Sequence, residues 1–430
     1  MAAQIDHPID VIGDVHGMYG RLRNLLSALG YERCHGRWGH NAGNRIVFVG
    51  DYVDRGVRPA EVVALVRDLC ADDMAIALLG NHDANAIAFC MQEDRAELNP
   101  QGAWREGRAA LEGTRGSGHW LRAHHKPGAK SEFKNVEQHG ATLRGFSDPA
   151  AYEAAVRWFA TLPAWFELPG LRVVHAAWVP PSIDALDRWA AGHGLPSPGI
   201  RAAGFGEALA IQRAREARLP GDRHWYELLD LRGIEHAHRE PPDRSPAVAL
   251  ERVVKGIEIG LPLGASFVDQ DGHPRREIRM RWFEAAEGRS FAEAALMNPA
   301  DVERLAAQTA GQRIDVRLPG FEGVNRLVPY AAADAYGPGE RPVIFGHYGM
   351  RLGGSPERAR LLGCAARNVA CVDNGVVLGA EKGGVLTAYR WAGERQLMYE
   401  RFVSVGGDYP SDNPAHGGSL ACPPANQCVD

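Results

Sequence analysis

The sequence predicts an α/β fold, because short apolar runs typical of buried strands alternate with segments of helical spacing. The apolar runs lie at residues 9–12, 46–49 and 75–79, and each is long enough for one strand of a sheet. Between them, apolar residues recur every three or four positions in 21–29 and 59–69, the spacing of a helix with one buried face. Apolar strands alternating with helices indicate a sheet that is covered on both faces.

Polar side chains follow each of these strands at the point where the strand ends. The three segments are Gly13-Asp14-Val15-His16-Gly17, Gly50-Asp51-Tyr52-Val53-Asp54-Arg55-Gly56 and Gly80-Asn81-His82-Asp83. Two later apolar runs are each followed by a single histidine, His175 and His347. The glycines in the three motifs permit sharp turns and a close backbone approach beside the polar groups.

Carboxylates, an amide and imidazoles delivered from five strand ends suit a pair of divalent metal ions. A lone Asp or His after a strand is most often a turn residue or a solvated surface group. Five such segments in this order have no comparable ordinary explanation. Asp14 and His16 are two positions apart, so their side chains leave one face of the chain and can bind one ion. The sequence therefore predicts a two-metal site for phosphate chemistry.

These segments resemble the calcineurin-like metallophosphoesterases, specifically the phosphoprotein-phosphatase type of that superfamily. The family pairs GDxHG with GDxxDRG and GNH[ED], followed by a His after a fourth strand and a Gly-His after a fifth. The resemblance covers residues 9 to about 180 and about 340 to 391, where Cys371-Val372-Asp373-Asn374-Gly375 and Gly384-Val385-Leu386-Thr387-Ala388 also match. It implies a four-layer α/β/β/α sandwich with a large α+β insertion.

The resemblance also implies a role for each matching residue. The expected metal ligands are Asp14 and His16 for the first ion, Asp51 for both ions, and Asn81, His175 and His347 for the second ion. His82 would be the general acid that protonates the leaving alkoxide, Asp54 would hold and polarise it, and Arg55 would bind a phosphate oxygen. Mn²⁺ is the expected activator, and Fe, Zn, Ni and Mg are also compatible with these ligand types.

The chemistry of these residue types supports the implied roles. Two divalent ions about 3.5–4 Å apart can bind opposite phosphate oxygens and turn a bridging water into hydroxide. An imidazolium assists a poor alkoxide leaving group, and a carboxylate partner keeps the imidazole protonated near neutral pH. Arginine offers two parallel N–H donors that match phosphate geometry. The expected reaction is direct attack by hydroxide, without a phosphoenzyme.

Five departures from the eukaryotic protein phosphatases indicate a bacterial branch of the family. Asp83 stands where many of those enzymes have Glu, and Leu78-Leu79 precede Gly80 where an Arg is usual. His175-Ala176-Ala177-Trp178 replaces the commoner His-Gly-Gly or His-Ala-Gly, and Asn374 replaces a commoner Thr. The second phosphate-binding arginine of the eukaryotic enzymes is not located in the sequence.

Three functions therefore stay open. The first is a phosphomonoesterase, with phosphoproteins carrying phosphoserine or phosphothreonine among its expected substrates. The second is a bis(5′-nucleosyl)-tetraphosphatase or an RNA-end phosphatase, because both use the same kind of centre. The third, of a different class, is a non-catalytic phosphate-binding scaffold, which would require a broken ligand position, and no ligand position is broken.

The sequence divides into a discontinuous catalytic domain at 5–178 and 336–405, an insertion at 179–335 and an unstructured tail at 406–430. Within the insertion, helices are predicted near 207–217 and 300–308, and a hairpin around Asp271-Gly272. The hairpin continues into a strand in which Arg279 and Arg281 share one face. An ordinary solvated edge strand explains this pattern, and so does a cap whose two arginines bind an anionic substrate.

Composition excludes several other classes of protein. The net charge is −5, which gives no global basic field for nucleic acid. No apolar run reaches the roughly 18 residues that span a bilayer, and the first strand begins too early for a secretory leader, so a cytoplasmic location is expected. Most of the seven cysteines are predicted to be small buried hydrophobes, whereas Cys422 and Cys428 lie in the tail. The histidines at 119, 124, 125 and 139 are predicted to belong to a surface loop.

Overall fold

The computed structural model describes the chain in fourteen segments, which are residues 7–92, 97–113, 136–218, 227–229, 245–261, 266–268, 274–284, 288–297, 299–309, 314, 336–337, 339–350, 368–378 and 383–406. Some of the sequence-based predictions concern residues outside these segments. They are the hairpin turn at Asp271-Gly272, the loop histidines His119, His124 and His125, the cysteine Cys364, and the tail beyond Gly406 with Cys422 and Cys428.

The first of two large sheets has six strands and contains both ends of the predicted catalytic domain. The strands are β1 (Ile9–Ile12), β4 (Arg45–Phe48), β5 (Ala75–Ala77), β17 (Asp373–Asn374), β18 (Val385–Trp391) and β19 (Phe402–Gly406). Their order is β17-β18-β1-β4-β5, and β19 also pairs with β18. β1, β4 and β5 are parallel, whereas β18 runs antiparallel to β1. The N-terminal and C-terminal parts of the chain therefore share one sheet.

The second sheet has five strands and carries the two later histidines. Its strands are β8 (Trp165–Leu168), β9 (Leu171–Val174), β10 (Ile200–Arg201), β15 (Val343–Phe345) and β16 (Val369–Cys371), in the order β10-β8-β9-β15-β16. β9, β15 and β16 are parallel. Since β9 and β15 are neighbours, the residues that follow them come out at the same edge of the sheet.

The two sheets pack face to face through side chains that alternate along each strand. Val11 and Val47 of the first sheet and Val173 and Ile344 of the second belong to one fully buried apolar cluster between the sheets. Their neighbour Ile12 points the other way, into a second cluster shared with the helices. This period of two buries both faces of each sheet, which accounts for the continuous apolar runs in the sequence. The structure confirms the α/β sandwich of the metallophosphoesterase type.

Helices pack against both sheets, against one another and against the smaller strand pairs. They are α1 (Tyr19–Leu29), α2 (Pro59–Ala71), α3 (Asn81–Phe89), α4 (Pro100–Leu111), α5 (Gly140–Gly145), α6 (Pro149–Phe159), α7 (Pro180–Gly192), α8 (Phe205–Glu216), α9 (Pro246–Lys255), α10 (Phe291–Ala294) and α11 (Pro299–Gln308). Six of them begin with proline, whose fixed φ suits the first helical position. Side chains of Asn99, Asp148 and Ser245 accept hydrogen bonds from first-turn N–H groups and so fix three of these starts.

The remaining strands form two-stranded pairs around the sandwich. They are β2 (Tyr31–Cys34) with β3 (Arg37–His40), β6 (Met91–Gln92) with β7 (Glu97–Leu98), β11 (Glu258–Gly260) with β14 (Glu277–Arg279), and β12 (Phe267–Val268) with β13 (Pro274–Arg275). β12 and β13 are antiparallel and lie on either side of the predicted hairpin turn.

The predicted insertion contributes to the sandwich itself. β10 is an edge strand of the second sheet, and Gln212 of α8 accepts a hydrogen bond from the Ala77 N–H of the first sheet at 3.1 Å. α9 packs against α7, and its Val253 carbonyl accepts hydrogen bonds from the N–H groups of Ala176 and Ala177 at 3.1 and 3.2 Å. The insertion therefore holds the chain just after His175. Its boundary at residue 179 stays a prediction.

Within the described residues, the helices are too short or too polar for any of them to cross a lipid bilayer. None of the described cysteines forms a disulfide, and Cys70, Cys90 and Cys371 are buried in the core, as the sequence predicted.

A buried carboxylate in β1 links this strand to its neighbours. Asp10 is fully buried, and it accepts hydrogen bonds from the Arg390 guanidinium at 2.7 and 3.0 Å, from the Tyr31 hydroxyl at 2.8 Å and from the Asn44 amide at 3.3 Å. Burial, together with the negative charge of Asp10, raises the pKa of Tyr31, so its hydroxyl stays protonated and donates. The side chain of Asp10 thus depends on three donors from distant parts of the chain.

We expect Tyr31→Phe to lower the free energy of unfolding by about 1.5–3 kcal/mol, because a buried carboxylate loses one hydrogen bond and regains no water. Urea titration followed by circular dichroism measures the loss. An unchanged unfolding midpoint would mean that Arg390 and Asn44 satisfy Asp10 without the tyrosine.

Candidate metal centre

The sequence-predicted ligands meet at one edge of the sandwich, where strands of both sheets end. Asp14 and Asp51 follow β1 and β4 of the first sheet, and Asn81 opens the helix after β5. His175 and His347 follow β9 and β15 of the second sheet. The N–H of His347 donates to the Asp14 carboxylate at 3.2 Å, so the loops of the two sheets touch at this point.

Backbone strain in the described residues is concentrated at this edge. Seven non-glycine residues have a positive φ, and five of them are sequence-predicted site residues, namely His16, Asp51, Asp54, Arg55 and His347. The left-handed region is unfavourable for residues with a Cβ atom, and it persists only where surrounding contacts impose it. Here the N–H groups of Val15 and His16 both donate to the Asp51 carbonyl, at 3.1 and 2.8 Å. The loops after β1 and β4 thus hold each other in the strained conformation.

The first group of donor atoms consists of Asp14, His16 and Asp51. His16 Nε2 lies 3.5 Å from Asp51 Oδ2 and 4.0 Å from Asp14 Oδ2. The other ring nitrogen, Nδ1, donates to the Val53 carbonyl at 2.9 Å. A neutral His16 therefore turns the lone pair of Nε2 toward the two carboxylates.

The second group is centred on Asn81 and joins the two sheets. Asn81 Oδ1 lies 3.0 Å from His175 Nε2 and 2.8 Å from His347 Nδ1. His175 Nδ1 donates to the Val49 carbonyl at 3.0 Å, and Nε2 also lies 3.4 Å from Asp51 Oδ1. The Nε2 lone pair of a neutral His175 is thus directed at two oxygen atoms.

This donor set fits divalent cations. Lone pairs of buried nitrogen and oxygen atoms that converge on one point repel each other, and a cation between them replaces repulsion with coordination. Two sets of three residues each have donor atoms that all lie within 4.8 Å of one another. One set is Asp14, Asp51 and His175, and the other is His16, Asp51 and His82. Asp51 belongs to both sets, as a bridging ligand requires.

The protonation of these groups reflects burial and mutual charge. Burial, reinforced by the neighbouring carboxylates Asp373 and Asp51, raises the pKa of Asp14 well above its usual range. Burial and the Arg55 guanidinium hold the pKa of His16 well below its usual value. Burial opposes ionisation of His175, but the carboxylates of Asp51 and Asp14 outweigh it and raise the pKa of His175 to about 9. The cluster is thus electrostatically unbalanced in the way a cation would correct.

His82 lies beside the first group, but one of its ring nitrogens already forms a hydrogen bond with another side chain. Its Nδ1 lies 2.6 Å from Asp54 Oδ2, and its Nε2 lies 3.3 Å from the Arg55 guanidinium. The ring packs edge-on against the His16 ring, with centroids 4.7 Å apart. Burial alone would favour a neutral Asp54, but hydrogen bonds from two histidines, His139 and His82, hold the pKa of Asp54 well below its usual range. The Asp54 carboxylate is therefore ionised beside His82.

Asp83 has a supporting role that its position in the motif did not reveal. It is completely buried and accepts hydrogen bonds from the N–H groups of Asp51, Gly80 and Tyr52 at 2.8, 2.9 and 3.1 Å. Burial and the charge of Asp51 raise the pKa of Asp83 to about 7. Its carboxyl group ties the loop after β4 to the start of α3, and so fixes Asp51 relative to Asn81.

The prediction that His139 belongs to a surface loop is wrong. The residue is buried, with 4% of its surface exposed, and its Nδ1 lies 2.7 Å from Asp54 Oδ1. It immediately precedes α5, whose Thr142 hydroxyl donates to the same Asp54 oxygen at 2.5 Å. The polar residues that precede His139 resemble a loop, and no local pattern in the sequence indicates that it is buried.

The two arginines predicted to bind substrate differ in their surroundings. The alternation of the strand is as predicted, because Ile278 and Met280 are buried while Arg279 and Arg281 are partly exposed. Burial lowers the pKa of His347, and the positive charge of Arg279 lowers it further. Arg279 also lies 3.6 Å from the Glu258 carboxylate. Arg281 instead donates to the Ala295 carbonyl at 3.1 Å and lies 3.7 Å from Glu284, within its own hairpin region.

Comparison with known proteins agrees with this geometry. Residues 7–200 match the family model of the calcineurin-like phosphoesterases. The chain is 45% identical over 74 residues to the asymmetrical bis(5′-nucleosyl)-tetraphosphatase PrpE of Oceanobacillus iheyensis, and 36% identical over 73 residues to that of Bacillus subtilis. Each alignment covers 17% of this chain and 30% of the relative's length, so the chain spans less than a third of these relatives.

Among solved structures, the chain is similar to a protein described as a putative diadenosine tetraphosphatase. The TM-score is 0.34 and the identity 15%, with 94% of this chain and 95% of the other covered. A cold-active protein-tyrosine phosphatase of a Shewanella species has a TM-score of 0.33 and 14% identity, with coverage of 92% and 80%.

The family match is confined to the first part of the chain. Residues 7–200, which include five of the six candidate metal ligands, contain a calcineurin-like metallophosphoesterase domain.

We expect Asp83→Ala to lower the free energy of unfolding by about 3–5 kcal/mol, because three buried N–H groups lose their acceptor at once. Asp83→Asn, which keeps one acceptor oxygen, should cost less. Urea titration of both variants beside the wild type measures the difference. Equal midpoints for all three proteins would show that these N–H groups find other acceptors.

Proposed function

We propose that this chain is a dinuclear metal-dependent phosphoesterase that hydrolyses phosphomonoesters by direct transfer of the phosphoryl group to water. One observation supports the proposal above all. Donor atoms from both sheets converge beside His82, whose Nδ1 is hydrogen-bonded to the ionised carboxylate of Asp54. A metal-binding site alone would not need the pair of His82 and Asp54. The pair, with 2.6 Å between its atoms, is the arrangement of an oriented general acid.

In this proposal the metal ligands are the residues that converge at the sheet edge. Asp14 and His16 hold one ion, Asp51 holds both, and Asn81, His175 and His347 hold the other. Bound divalent ions supply positive charge for phosphate oxygens and lower the pKa of water. The metal of first choice is Mn²⁺, and the same ligand types accept Fe, Zn, Ni or Mg.

The remaining residues act on the leaving group and on the phosphate. The Asp54 carboxylate lies 2.6 Å from Nδ1 of His82 and so orients the ring for transfer of a proton from Nε2 to the leaving oxygen. Arg55 is exposed and lies next to that same nitrogen, where its guanidinium can bind a phosphate oxygen of the substrate. The positive charge of Arg279 acts on His347, whereas Arg281 donates a hydrogen bond to the Ala295 carbonyl within the insertion.

A second candidate substrate class follows from the comparisons. The two PrpE proteins are named as bis(5′-nucleosyl)-tetraphosphatases, and they share with this chain a stretch of 73 or 74 residues. A phosphoprotein and a phosphorylated RNA end offer these residues an anionic phosphate with an alkoxide leaving group, whereas a dinucleoside tetraphosphate offers a phosphoanhydride whose leaving group is a nucleotide phosphate. The proposed place of action is the cytoplasm, where thiols such as those of Cys70 and Cys90 stay reduced.

A substrate panel tests the proposal. We expect the purified protein, stripped of metal and reconstituted with Mn²⁺, to bind two ions per chain and to hydrolyse at least one of phosphoserine peptides, diadenosine tetraphosphate and 3′-phosphorylated RNA. Asp51→Asn should lose both metal binding and activity, because it removes charge shared by both ions. Elemental analysis and phosphate release measure the two properties. A folded wild-type protein that binds two ions but cleaves none of these substrates, nor p-nitrophenyl phosphate, would support the scaffold hypothesis instead.

His82→Asn separates proton transfer from metal binding. We expect the metal content to stay the same and kcat on an alkyl phosphate to fall by about 10²–10⁴-fold, the usual contribution of a general acid. The loss should be much smaller on p-nitrophenyl phosphate, whose leaving group hardly needs a proton. Steady-state kinetics on both substrates measure the difference, and equal losses would remove His82 from this role.

A further inference from the structure

A chain of buried hydrogen bonds continues beyond the pair of His82 and Asp54. Asp54 Oδ2 faces His82, while Oδ1 lies 2.7 Å from His139 Nδ1 and accepts the Thr142 hydroxyl at 2.5 Å. The N–H of Asp54 in turn donates to the Thr142 hydroxyl oxygen at 2.8 Å. One carboxylate thus lies between two histidines, and each histidine faces a different oxygen atom.

The donors along this chain can be ordered without leaving any group unmatched. His139 Nε2 lies 2.8 Å from the Tyr152 hydroxyl, which lies 3.3 Å from Cys90 Sγ. Burial raises the pKa of Tyr152 well above its usual range and that of Cys90 to about 12, so both side chains keep their protons. One order that satisfies every group has the Cys90 thiol donating to the Tyr152 oxygen and the Tyr152 hydroxyl donating to His139 Nε2. In this order His139 donates to Asp54 through Nδ1.

The surroundings of His139 allow its ring little freedom. It packs against Phe89, with ring centroids 4.9 Å apart, and against the Tyr152 ring at 5.9 Å. The side chain of His139 is 5% exposed and that of Asp54 4%. The hydrogen bonds of His139 run to Asp54 and Tyr152, and neither of these is a candidate metal ligand.

We propose that His139 is a positioning residue for the general acid, acting through Asp54. This proposal rests on the proposed function. Asp54 lies in a strained loop, with a φ of 65°, and its carboxylate needs fixed donors to keep Oδ2 on His82. By donating to Oδ1, His139 holds that orientation of the carboxylate. Asp54 in turn holds the His82 ring in the orientation from which Nε2 delivers its proton to the leaving oxygen.

The step that depends on this arrangement is the protonation of the leaving group. As the bond between phosphorus and the leaving oxygen breaks, its electron pair goes to that oxygen, which takes the Nε2 proton of His82. Loss of His139 should therefore lower the rate of hydrolysis of substrates with poor leaving groups. The rate for substrates whose leaving group needs no proton should stay nearly the same. A merely structural defect would slow both kinds of substrate.

The test compares His139→Ala with His139→Asn on two substrates. We expect His139→Ala to lower kcat on an alkyl phosphate by roughly 10–100-fold and to change kcat on p-nitrophenyl phosphate by less than about threefold. His139→Asn should recover most of the loss, because its amide can still donate to Asp54 Oδ1. The metal content should stay at the wild-type value in both variants. Its decrease, or equal loss on both substrates, would overturn the proposal.

Two further variants exclude a general effect of destabilisation. In a His82→Asn background, His139→Ala should cause little additional loss, because the residue acts through a proton donor that is already absent. Tyr31→Phe, which removes another buried hydrogen bond to a carboxylate far from the site, should leave the ratio of the two activities unchanged. Full additivity of the His82 and His139 losses would contradict the proposal.

The outcome also separates this inference from the proposed function. A wild-type protein without activity on any phosphate ester would contradict the function itself. An active wild type with an unaltered His139→Ala variant would contradict only the role of His139.

Discussion

The hydrogen bond from His175 Nδ1 to the Val49 carbonyl joins the two sheets at the edge where the candidate metal ligands meet. Through this bond, the end of β4 in the first sheet fixes the orientation of a ring that belongs to the second sheet. In the same way, the N–H of His347 in the second sheet donates to Asp14 in the first. Because each sheet supplies only part of the donor set, the geometry of the centre depends on how the two sheets are packed. The apolar cluster between them is therefore as much a requirement of the site as the ligands themselves.

Within the first sheet, the loops after β1 and β4 are interlocked rather than independently folded. The N–H of Gly56 donates to the His16 carbonyl at 2.9 Å, and a Cβ atom at Gly56 would lie 2.1 Å from that oxygen. Glycine is thus required at this position by the close approach of the second loop to the first. The backbone strain at His16, Asp51 and Asp54 is maintained by these contacts between loops.

The sequence was sufficient for the features that depend on local patterns. The apolar runs predicted the central strands, and the motifs at their ends identified residues that the structure brings within a few ångströms of one another. The sequence was insufficient where two residues far apart in the chain make contact and no local pattern marks either of them. His139 lies 85 positions from Asp54, in a stretch whose composition resembles a loop, and only the packing of α5 brings it inside. Asp83 was visible in its motif, but two of the three N–H groups that it binds, those of Asp51 and Tyr52, lie 32 and 31 positions away in the loop after β4.

The Val253 carbonyl, which accepts hydrogen bonds from Ala176 and Ala177, has a consequence for how this protein could have diversified. α9 is reached only after a long excursion of the chain, yet it closes the turn that carries His175. Deleting the excursion as a block would leave two N–H groups without their acceptor directly after His175, a candidate metal ligand. The excursion therefore cannot be removed as a unit without disturbing the turn that carries His175.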